Sequence, residues 1–338
     1  MLAKLTRLGI ACDATPWELR SAREHFEQHD YLRLPGFIEP GLLRVIQRCL
    51  RGAGFQPREY AEIGHDLTLL DDPLLRVLHF LMNDPQLFRL IRRITGCRPI
   101  GCFTGRIYRM VARRGVELTW HDDALDDLKL VAISANLSDG RYRGGILQIR
   151  EKSRHACEVV PNLGFGDAII FRVAEHLEHR VTPVEGKIPK TALTGWFRSR
   201  PRYTTSMPRD LAARSESTIV SRDGRKGARC AFPSPSDVAK IPSAVVSRTL
   251  PRGTLVADIG TAMCYGLNQT GGRIWNLLAQ GHSMRSLSAI IAREYGASQR
   301  GVERDVLALA HRLVERNLIK IAHAASRPPG LMRAAAND

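Results

Sequence analysis

Long apolar runs are missing from this sequence. No segment reaches the 18 or more apolar residues that a membrane-spanning helix needs. Near the start, the longest apolar run covers only Leu8 to Ala11, which is too short for the core of a signal peptide. We therefore expect a cytoplasmic protein without membrane contact.

Cysteine is sparse, and its spacing indicates neither a disulfide framework nor a zinc site. The seven cysteines stand at positions 12, 49, 97, 102, 157, 230 and 264, and none of them forms a CxxC pair. An odd number of scattered cysteines is typical of buried thiols in a reducing compartment. Cysteine chemistry therefore points to no function.

Acidic residues are too few to balance the basic ones. The chain has 50 Lys and Arg against 34 Asp and Glu, a net charge of +16, which suggests an acidic partner. Between Arg198 and Arg252, however, twelve basic residues face four acidic ones, so half of the surplus lies in one segment with linker character. This distribution makes nucleic acid an unlikely partner. No pattern indicates an oligomeric state.

The first 200 residues combine helices with a block of strands. The segment from Ser21 to Gly52 is predicted to form a helix, a short strand and a second helix around Gly36 and Pro40. Two more helices open on Asp-Pro pairs at 72–73 and 84–85. From about residue 99, short segments rich in β-branched and aromatic residues alternate with Gly, Asp, Asn and Pro. About eight strands behind a set of helices predict a sandwich or jelly roll.

A second pattern follows a segment rich in Pro, Ser, Arg and Gly. Residues 201–240 are predicted to be a basic linker, and residues 326–338 a tail. Between them, residues 241–325 contain three short strands and three amphipathic helices. The fold class is therefore α+β with two domains: a double-stranded β-helix (jelly roll) with N-terminal helices over 1–200, and a small winged-helix-type domain.

The stretch "LTWHDDALDDLKL" carries the first candidate site. On an extended segment, side chains at i and i+2 point the same way, so His121 and Asp123 can converge on one ion. A His-x-Asp pair alone is more often a surface turn. A second histidine, His179, stands 56 residues downstream of Asp123, at the start of another predicted strand. Two histidines and one carboxylate can form the facial triad of a non-haem Fe(II) oxygenase.

Residues from about Pro99 to Ser199 resemble the catalytic core of the Fe(II)/2-oxoglutarate-dependent dioxygenases, in the prolyl-hydroxylase-like branch. The stretches that carry this resemblance are "WHDD", "ISANLSDGRYRGGILQIRE", "GFGDAIIF" and "HRVTPVEGKIPKTALTGWF". The resemblance implies a jelly roll in which His121, Asp123 and His179 bind Fe(II). It also implies that 2-oxoglutarate and O₂ are consumed, so that a C–H bond is oxidised while 2-oxoglutarate becomes succinate.

The same resemblance implies the contacts of the co-substrate. Lys190 falls where the family has a basic residue that pairs with the distal carboxylate of 2-oxoglutarate, a position at which Arg is commoner in this branch. The family's small hydroxyl residue is Ala192 here, so Thr191 or Thr194 would replace it, and Thr194 is the one we select. Tyr108 could donate to the same carboxylate, or it could be a core residue. The carboxylate at Asp123 favours hydroxylation or desaturation, because related halogenases leave that position open for chloride.

Residues from about Ile241 to Ile321 resemble the PqqD-like domains, which recognise peptides in ribosomal peptide modification. The stretches that carry this resemblance are "GTLVADIGTAMCYGLNQTGGRIWNLL" and "VERDVLALAHRLVERNLI". It implies that a leader peptide adds a strand beside the third strand, at Ala262 to Leu267, and packs on the last helix. The candidate contacts are Met263, Tyr265, Arg304, Leu309 and Arg312. A basic groove would suit an acidic leader.

Together, the two resemblances predict an Fe(II)/2-oxoglutarate dioxygenase that hydroxylates a side chain of a ribosomally synthesised precursor peptide. Its leader would be held by the C-terminal domain, which raises the effective concentration of the core peptide at the iron. Two alternatives stay open. One is a hydroxylase of a protein or small molecule, and the other is a winged-helix nucleic-acid-binding protein with an accessory oxygenase domain.

Overall fold

The computed structural model describes residues 1–60, 63–69, 72–113, 116, 118–124, 126–154, 156–200, 232–261 and 263–322. The chain forms two compact units; residues 1–200 fall in the first and residues 266–322 in the second. Most of the predicted linker and the predicted tail lie outside the described residues. None of the helices in these ranges has the length and apolar character needed to cross a membrane.

Four helices precede most of the strands of the first unit. They are α1 (Pro16–His29), α2 (Pro40–Arg51), α3 (Pro73–Met82) and α4 (Pro85–Thr95). Each begins with a proline, whose missing N–H has no intrahelical partner at that position anyway. Asp72 and Asp84 accept hydrogen bonds from the backbone of the first turn, which confirms the helices predicted at the Asp-Pro pairs.

The first helix begins earlier than the helical pattern alone indicated. We placed it in the segment that starts at Ser21, but it begins at Pro16. Thr15 and Glu18 form a capping box, in which each side chain accepts a hydrogen bond from the other residue's backbone N–H. The local capping signal therefore extends the helix by more than a turn.

Fifteen strands are described in the first unit, and eleven of them form one antiparallel sheet. They are β1 (Lys4–Thr6), β2 (Gly9–Ala11), β3 (Tyr31–Leu34), β4 (Phe55–Tyr60), β5 (Gly64–Leu69), β6 (Cys102–Met110), β7 (Leu118–His121), β8 (Lys129–Asn136), β9 (Arg143–Gly144), β10 (Leu147–Glu151), β11 (Glu158–Val160), β12 (Ala168–Arg172), β13 (Leu177–Val181), β14 (Val184–Glu185) and β15 (Lys190–Arg198). The main sheet runs β11-β10-β13-β7-β5-β6-β15-β8-β12-β3, with β4 paired to β5. It curls around one cavity, which agrees with the predicted jelly roll.

Two hairpins of this unit were not predicted. β1 pairs with β2, and β4 pairs with β5, which in turn pairs with β6 and β7. The strand β4, with sequence FQPREY, is largely exposed and lacks the alternation of apolar and polar residues that marks a strand. Its partner β5 therefore completes the sheet beside the site without a sequence signal strong enough to predict it.

The longest contact of the sheet is made by β15, which pairs with β6 on one side and with β8 on the other. Gly195 lies directly opposite Gly105 on β6. A Cβ atom on Gly195 would lie 2.6 Å from the Gly105 Cα and 2.7 Å from the Phe103 Cζ. The pair of glycines therefore lets the Phe103 ring lie against the sheet surface.

The substitution Gly195→Ala is expected to lower the free energy of unfolding by about 1–3 kcal/mol, because the new methyl group overpacks a site bounded by backbone. Urea denaturation of the purified protein measures this. Gly54→Ala is the control, since a Cβ there meets no atom within 4 Å. Equal unfolding midpoints for the two variants would contradict the close packing described here.

The C-terminal region from Val238 to Ala322 contains five short strands and three helices. They are β16 (Val238–Lys240), β17 (Val245–Leu250), β18 (Gly253–Asp258), β19 (Cys264–Leu267), α5 (Gln269–Ala279), α6 (Met284–Tyr295), α7 (Gln299–Glu315) and β20 (Lys320–Ala322). The order β17-β18-β19 makes a three-stranded sheet. Asn268, Ser283 and Ser298 cap the three helices as N-cap residues. Three strands followed by three helices confirm the predicted winged-helix-type domain.

One strand lies directly before the predicted boundary at residue 241. Val238–Lys240, which we assigned to the linker, form a strand that pairs antiparallel with Lys320–Ala322. The described strands of this region therefore begin at Val238. The predicted domain boundaries stay predictions.

Candidate functional site

A cavity of about 250 Å³ lies inside the curled sheet. Its wall includes aromatic and aliphatic side chains together with a few polar and charged ones. The charged and histidine side chains in the wall are Arg106, His121, Asp123, Lys129, His179 and Lys190. A largely apolar cavity with a few converging polar groups is the usual form of a small-molecule or catalytic site.

His121, Asp123 and His179 meet in this cavity. His121 ends β7 and lies directly opposite His179 on β13, with 4.3 Å between the ring centroids. Asp123 follows two residues after β7, and its Oδ2 lies 3.8 Å from the His179 Nε2. Strand pairing thus brings together the two histidines that the sequence separates by 58 positions, with the carboxylate beside them.

The protonation states suit ligands of a cation. His121 Nδ1 lies 2.7 Å from the Thr119 carbonyl oxygen, which fits a donated hydrogen bond that leaves the Nε2 lone pair free. Burial, together with the neighbouring His121, lowers the pKa of His179 to about 4, so its ring is neutral at pH 7. Burial opposes ionisation of Asp123, and the charge of His179 lowers its pKa only while that ring is protonated. The Lys129 ammonium and the hydrogen bonds from Lys129 and Trp196 lower the pKa of Asp123 in either case.

Asp123 is held by two side chains that the sequence did not single out for this role. Lys129 Nζ donates to the Asp123 Oδ1 at 2.8 Å, and Trp196 Nε1 donates to the Oδ2 at 2.7 Å. The Lys129 ammonium also lies 4.0 Å from the centre of the Trp196 ring, a cation–π contact. From the sequence, Trp196 was interpreted as a core or pocket-wall residue. Both oxygens of the carboxylate thus have donors.

This arrangement bears on how a metal ion would bind. Among the residues that the structure describes, no three His, Cys, Asp or Glu side chains are placed so that they could hold one metal ion as they stand. Because Lys129 and Trp196 engage both oxygens of Asp123, an incoming cation would share or replace one of these contacts. The metal-ligand role of the three residues therefore stays a prediction.

Lys190 is the first residue of β15, and its side chain is buried in the cavity wall, with 8 % of the residue exposed. Its Nζ donates to the Gly145 carbonyl oxygen at 2.6 Å. Within the described ranges no carboxylate pairs with it. Burial lowers the pKa of Lys190 to about 8. A buried cation without a counter-ion offers a place for an anion.

The alternation of side chains along β15 separates the two candidate threonines. Lys190, Ala192, Thr194 and Trp196 line the cavity. Thr191 lies on the other side of the sheet, where its Oγ1 accepts a hydrogen bond from the Arg109 Nε at 3.2 Å. Of the two, only Thr194 can face a ligand in the cavity.

Besides Tyr60, two tyrosines lie in the cavity wall that contains Lys190. Tyr108, the predicted contact of the co-substrate, is buried on β6, and burial raises its pKa well above its ordinary value. Tyr142 was not predicted; burial raises its pKa to about 12. Both phenols are therefore neutral at pH 7. Tyr142 lies in an irregular segment before β9, where no sequence pattern distinguishes a wall residue from a loop residue.

An ion pair between the neighbouring strands β5 and β6 was also not predicted. Arg106 on β6 lies in the cavity wall and pairs with the buried Asp66 of β5 at 3.1 Å. The Arg106 guanidinium is 4.7 Å from the centre of the Tyr60 ring. Only knowledge of the β4–β5 hairpin could have indicated this pair.

Two family models match the chain. Residues 105–198 match the 2OG-Fe(II) oxygenase superfamily, and residues 253–319 match PqqD, the coenzyme PQQ synthesis protein D. The chain contains a 2OG-Fe(II) oxygenase domain and a PqqD domain. It is an enzyme, and the cofactors of its oxygenase domain are Fe(II), 2-oxoglutarate and O₂.

Several solved structures are similar to parts of the chain. A 2OG-Fe(II) oxygenase family protein from Burkholderia pseudomallei is 16% identical, with 57% of this chain and 95% of that chain covered and a TM-score of 0.45. A prolyl-4-hydroxylase from Pseudomonas putida is 20% identical, with coverages of 54% and 100% and a TM-score of 0.42. TbiB1 in complex with the TbiA(beta) leader peptide is 30% identical, with coverages of 26% and 99% and a TM-score of 0.24. No protein of curated function matches the sequence.

The PqqD domain presents the predicted peptide contacts on two elements. Met263 and Tyr265 belong to β19 and the turn before it; Met263 is 52 % exposed, and Tyr265 is half-buried. In the three-stranded sheet, β19 is an end strand and pairs with β18. On α7, Arg304 and Arg312 are exposed, and Leu309 is half-buried. Ala262 lies outside the described residues.

The buried charge of the oxygenase domain gives a test of stability. Lys190→Met is expected to raise the free energy of unfolding at pH 7 by about 1–2 kcal/mol. Relief from burying an unpaired ammonium contributes about 3 kcal/mol, and loss of the hydrogen bond to Gly145 offsets part of it. Urea denaturation at several pH values measures the effect.

The sign of the pH dependence follows from the lowered pKa of Lys190. Below about pH 8 the ammonium is charged in both the folded and unfolded chain, so the gain from Lys190→Met is complete. Above that pH the folded wild type loses the proton first and becomes more stable, so the gain shrinks towards pH 10.5. The exposed Lys187→Met is the control, with no pH-dependent gain. A destabilised Lys190→Met variant at pH 7 would contradict this picture.

Proposed function

We propose that this oxygenase hydroxylates a side chain of a ribosomally synthesised precursor peptide whose leader is bound by the PqqD domain. The observation that carries the catalytic half is the meeting of His121, Asp123 and His179 in one cavity, which also contains Lys190, a cation with no carboxylate partner among the described residues. The recognition half is supported by the match to PqqD and by the position of β19 at the end of its three-stranded sheet.

We assign His121, Asp123 and His179 as the iron ligands. Two neutral imidazoles and one carboxylate are the donor set of the facial triad, which leaves coordination positions open for co-substrate and O₂. Bound there, the iron would supply the oxidising power for attack on an unactivated C–H bond. The protein contributes the orientation of Asp123 through Lys129 and Trp196, and the orientation of His121 through the Thr119 carbonyl.

We assign Lys190, Thr194 and Tyr108 to the binding of 2-oxoglutarate. A dicarboxylate in a largely apolar cavity needs a buried cation, and Lys190 is the cavity cation without a carboxylate partner in the described chain. The neutral hydroxyls of Thr194 and Tyr108 lie in the same wall and can donate to carboxylate oxygens. Tyr142 lies beside them as an additional candidate donor.

The leader peptide is proposed to add a strand beside β19, the end strand of the three-stranded sheet. Backbone hydrogen bonds supply affinity in such β-augmentation, and side-chain pockets supply selectivity. Met263 and Tyr265 would contact the added strand, while Leu309 and the basic Arg304 and Arg312 on α7 would receive its side chains. An acidic leader fits these two arginines. A tethered core peptide then needs only weak affinity for the cavity itself.

The catalytic half is tested by anaerobic titration with Fe(II) and 2-oxoglutarate, watching for the weak visible charge-transfer band of the bound pair. We expect a band in the wild type, no band in His179→Ala, and a 2-oxoglutarate affinity lowered at least about tenfold in Lys190→Met. Lys187→Met should bind like the wild type.

The outcomes separate the two assignments. A band that survives His179→Ala would remove His179 from the ligand set. Full affinity in Lys190→Met would overturn the co-substrate assignment while leaving the iron site intact. No band in the wild type at saturating iron would remove the oxygenase activity and favour a binding protein, including the winged-helix nucleic-acid binder.

The recognition half is tested with a displayed library of random 20-residue peptides. We expect enriched peptides to be acidic, and their affinity to fall about tenfold in the double variant Arg304→Glu and Arg312→Glu. A Tyr265→Pro variant should lose binding as well, because proline disrupts the pairing edge. Arg300→Glu, at the exposed start of α7, is the matched control.

Peptides enriched equally by the wild type and the double variant would contradict the groove. Binding to random DNA whose affinity falls steeply with salt, without peptide enrichment, would favour the nucleic-acid alternative. Turnover of folded proteins or small molecules without any leader-like sequence would favour a hydroxylase of those substrates.

A further inference from the structure

Among the charged side chains that line the cavity, basic ones predominate. Arg106, Lys129 and Lys190 line it, whereas Asp123 is the only carboxylate among the lining residues that the structure describes. The cavity lies inside the curled sheet and much of its lining is buried, so these charges act on one another and on any ligand more strongly than they would in water. The net charge of the lining side chains therefore affects which ligands can bind in the cavity.

Two of the three cations are already compensated. Arg106 pairs with Asp66, which lies directly behind the cavity wall and is almost completely buried. Lys129 pairs with Asp123. Among the residues that the structure describes, the hydrogen-bond acceptor of Lys190 is the neutral Gly145 carbonyl. The phenols in the wall are neutral, as are histidines that ligate a metal. One net positive charge therefore remains in the wall.

Loading the site does not remove this surplus. Fe(II) carries two positive charges and 2-oxoglutarate two negative ones, so the pair adds no net charge. With the distal carboxylate of 2-oxoglutarate on Lys190, the surplus moves to the metal end of the cavity. There the iron and the Lys129 ammonium face a single protein carboxylate, Asp123. This is the end at which the substrate's reacting carbon must lie.

The position of Lys129 suits contact with a substrate. Its side chain is 16 % exposed, its Nζ lies 2.8 Å from the Asp123 Oδ1, and the Trp196 ring supports it from one face. An ammonium has three donors, and one is used on Asp123. The others are available to an acceptor that enters beside the metal site.

We propose that the side chain oxidised by this enzyme is acidic, an Asp or Glu of the substrate peptide, and that its carboxylate pairs with Lys129. This inference rests on the proposed function and names the substrate class of the same site. A carboxylate brings the loaded cavity to neutrality, an amide or an alkyl side chain leaves the charge uncompensated, and a Lys or Arg side chain adds to it. Lys129 is thus a specificity-determining residue as well as a partner of Asp123.

The reaction that follows is balanced within the oxygenase's own chemistry. One oxygen atom of O₂ enters the C–H bond of the acidic side chain as a hydroxyl group. The other enters the succinate that forms as 2-oxoglutarate loses CO₂. Two electrons come from the substrate C–H bond and two from the decarboxylation, so no further reductant is needed.

The test is binding near the metal, measured without turnover. Mn(II) replaces iron in the full-length protein with 2-oxoglutarate present and oxygen excluded. Three synthetic peptides, Ac-Gly-Ala-Xaa-Ala-Gly-NH₂ with Xaa as Asp, Asn or Lys, are then titrated. Paramagnetic broadening of their side-chain proton resonances reports occupancy beside the metal. We expect Asp to bind at least about tenfold more tightly than Asn, and Lys not to bind.

Substitution at Lys129 is the second arm. Lys129→Met should reduce the preference for Asp over Asn to about threefold or less, whereas Lys129→Arg, which keeps the charge, should retain most of it. Lys187→Met, at an exposed lysine that does not line the cavity, is the control and should keep the preference for Asp. Because the wild-type comparison of peptides stands alone, the test survives a Lys129→Met variant that folds poorly.

Several results would overturn the inference. Equal broadening of the Asp and Asn peptides would do so, as would a preference for Lys, or no broadening of any peptide by a protein that binds 2-oxoglutarate. The Fe(II) and 2-oxoglutarate titration is independent of these peptides. A normal charge-transfer band with no acidic preference therefore removes this inference alone, whereas loss of the band removes the proposed function beneath it.

Discussion

The pairing of β15 with β6 over its full length, and with β8 from Ala192 to Arg198, is the constraint on which the site depends. Because side chains alternate along a strand, this one segment places Lys190, Ala192, Thr194 and Trp196 on the cavity side. The same pairing brings Gly195 against Gly105, and the register follows from that close approach. A register shift of one residue would turn Lys190 and Trp196 out of the cavity, and Asp123 would lose the hydrogen bond from the Trp196 indole.

The second requirement is the compensation of buried charge. Ionised groups inside a protein are stable only when they are paired or when a ligand completes the pairing. Asp66 and Arg106 meet this condition within the chain, as do Asp123 and Lys129. Lys190 does not, and its lowered pKa is the physical sign of the difference. The cavity wall thus has three kinds of cation. Arg106 is paired with Asp66, Lys129 is paired with Asp123 at the proposed metal site, and the charge of Lys190 can be balanced by an anionic ligand.

Much of this arrangement could be predicted from the sequence, and the limits have physical causes. The His121, Asp123 and His179 set was accessible because an i, i+2 spacing and a downstream histidine are local patterns. Lys129 and Trp196 were not assigned to Asp123, since their roles depend on which strands lie side by side. The β4–β5 hairpin has an exposed, irregular outer strand, so no periodicity revealed it. The pairing of β16 with β20 joins segments about 80 residues apart, and three-residue strands carry almost no pattern of their own.

The hydrogen bonds from Lys129 and Trp196 to Asp123 bear on whether the protein folds before or after it binds iron. A carboxylate turned into an apolar cavity would ordinarily make the apoprotein depend on its metal for stability. Here an ammonium from the same chain already neutralises that carboxylate, and an indole N–H satisfies its second oxygen. The jelly roll can therefore fold before it binds iron. Metal binding then takes place at a folded site, where the metal ion shares or replaces one of the hydrogen bonds that Asp123 accepts.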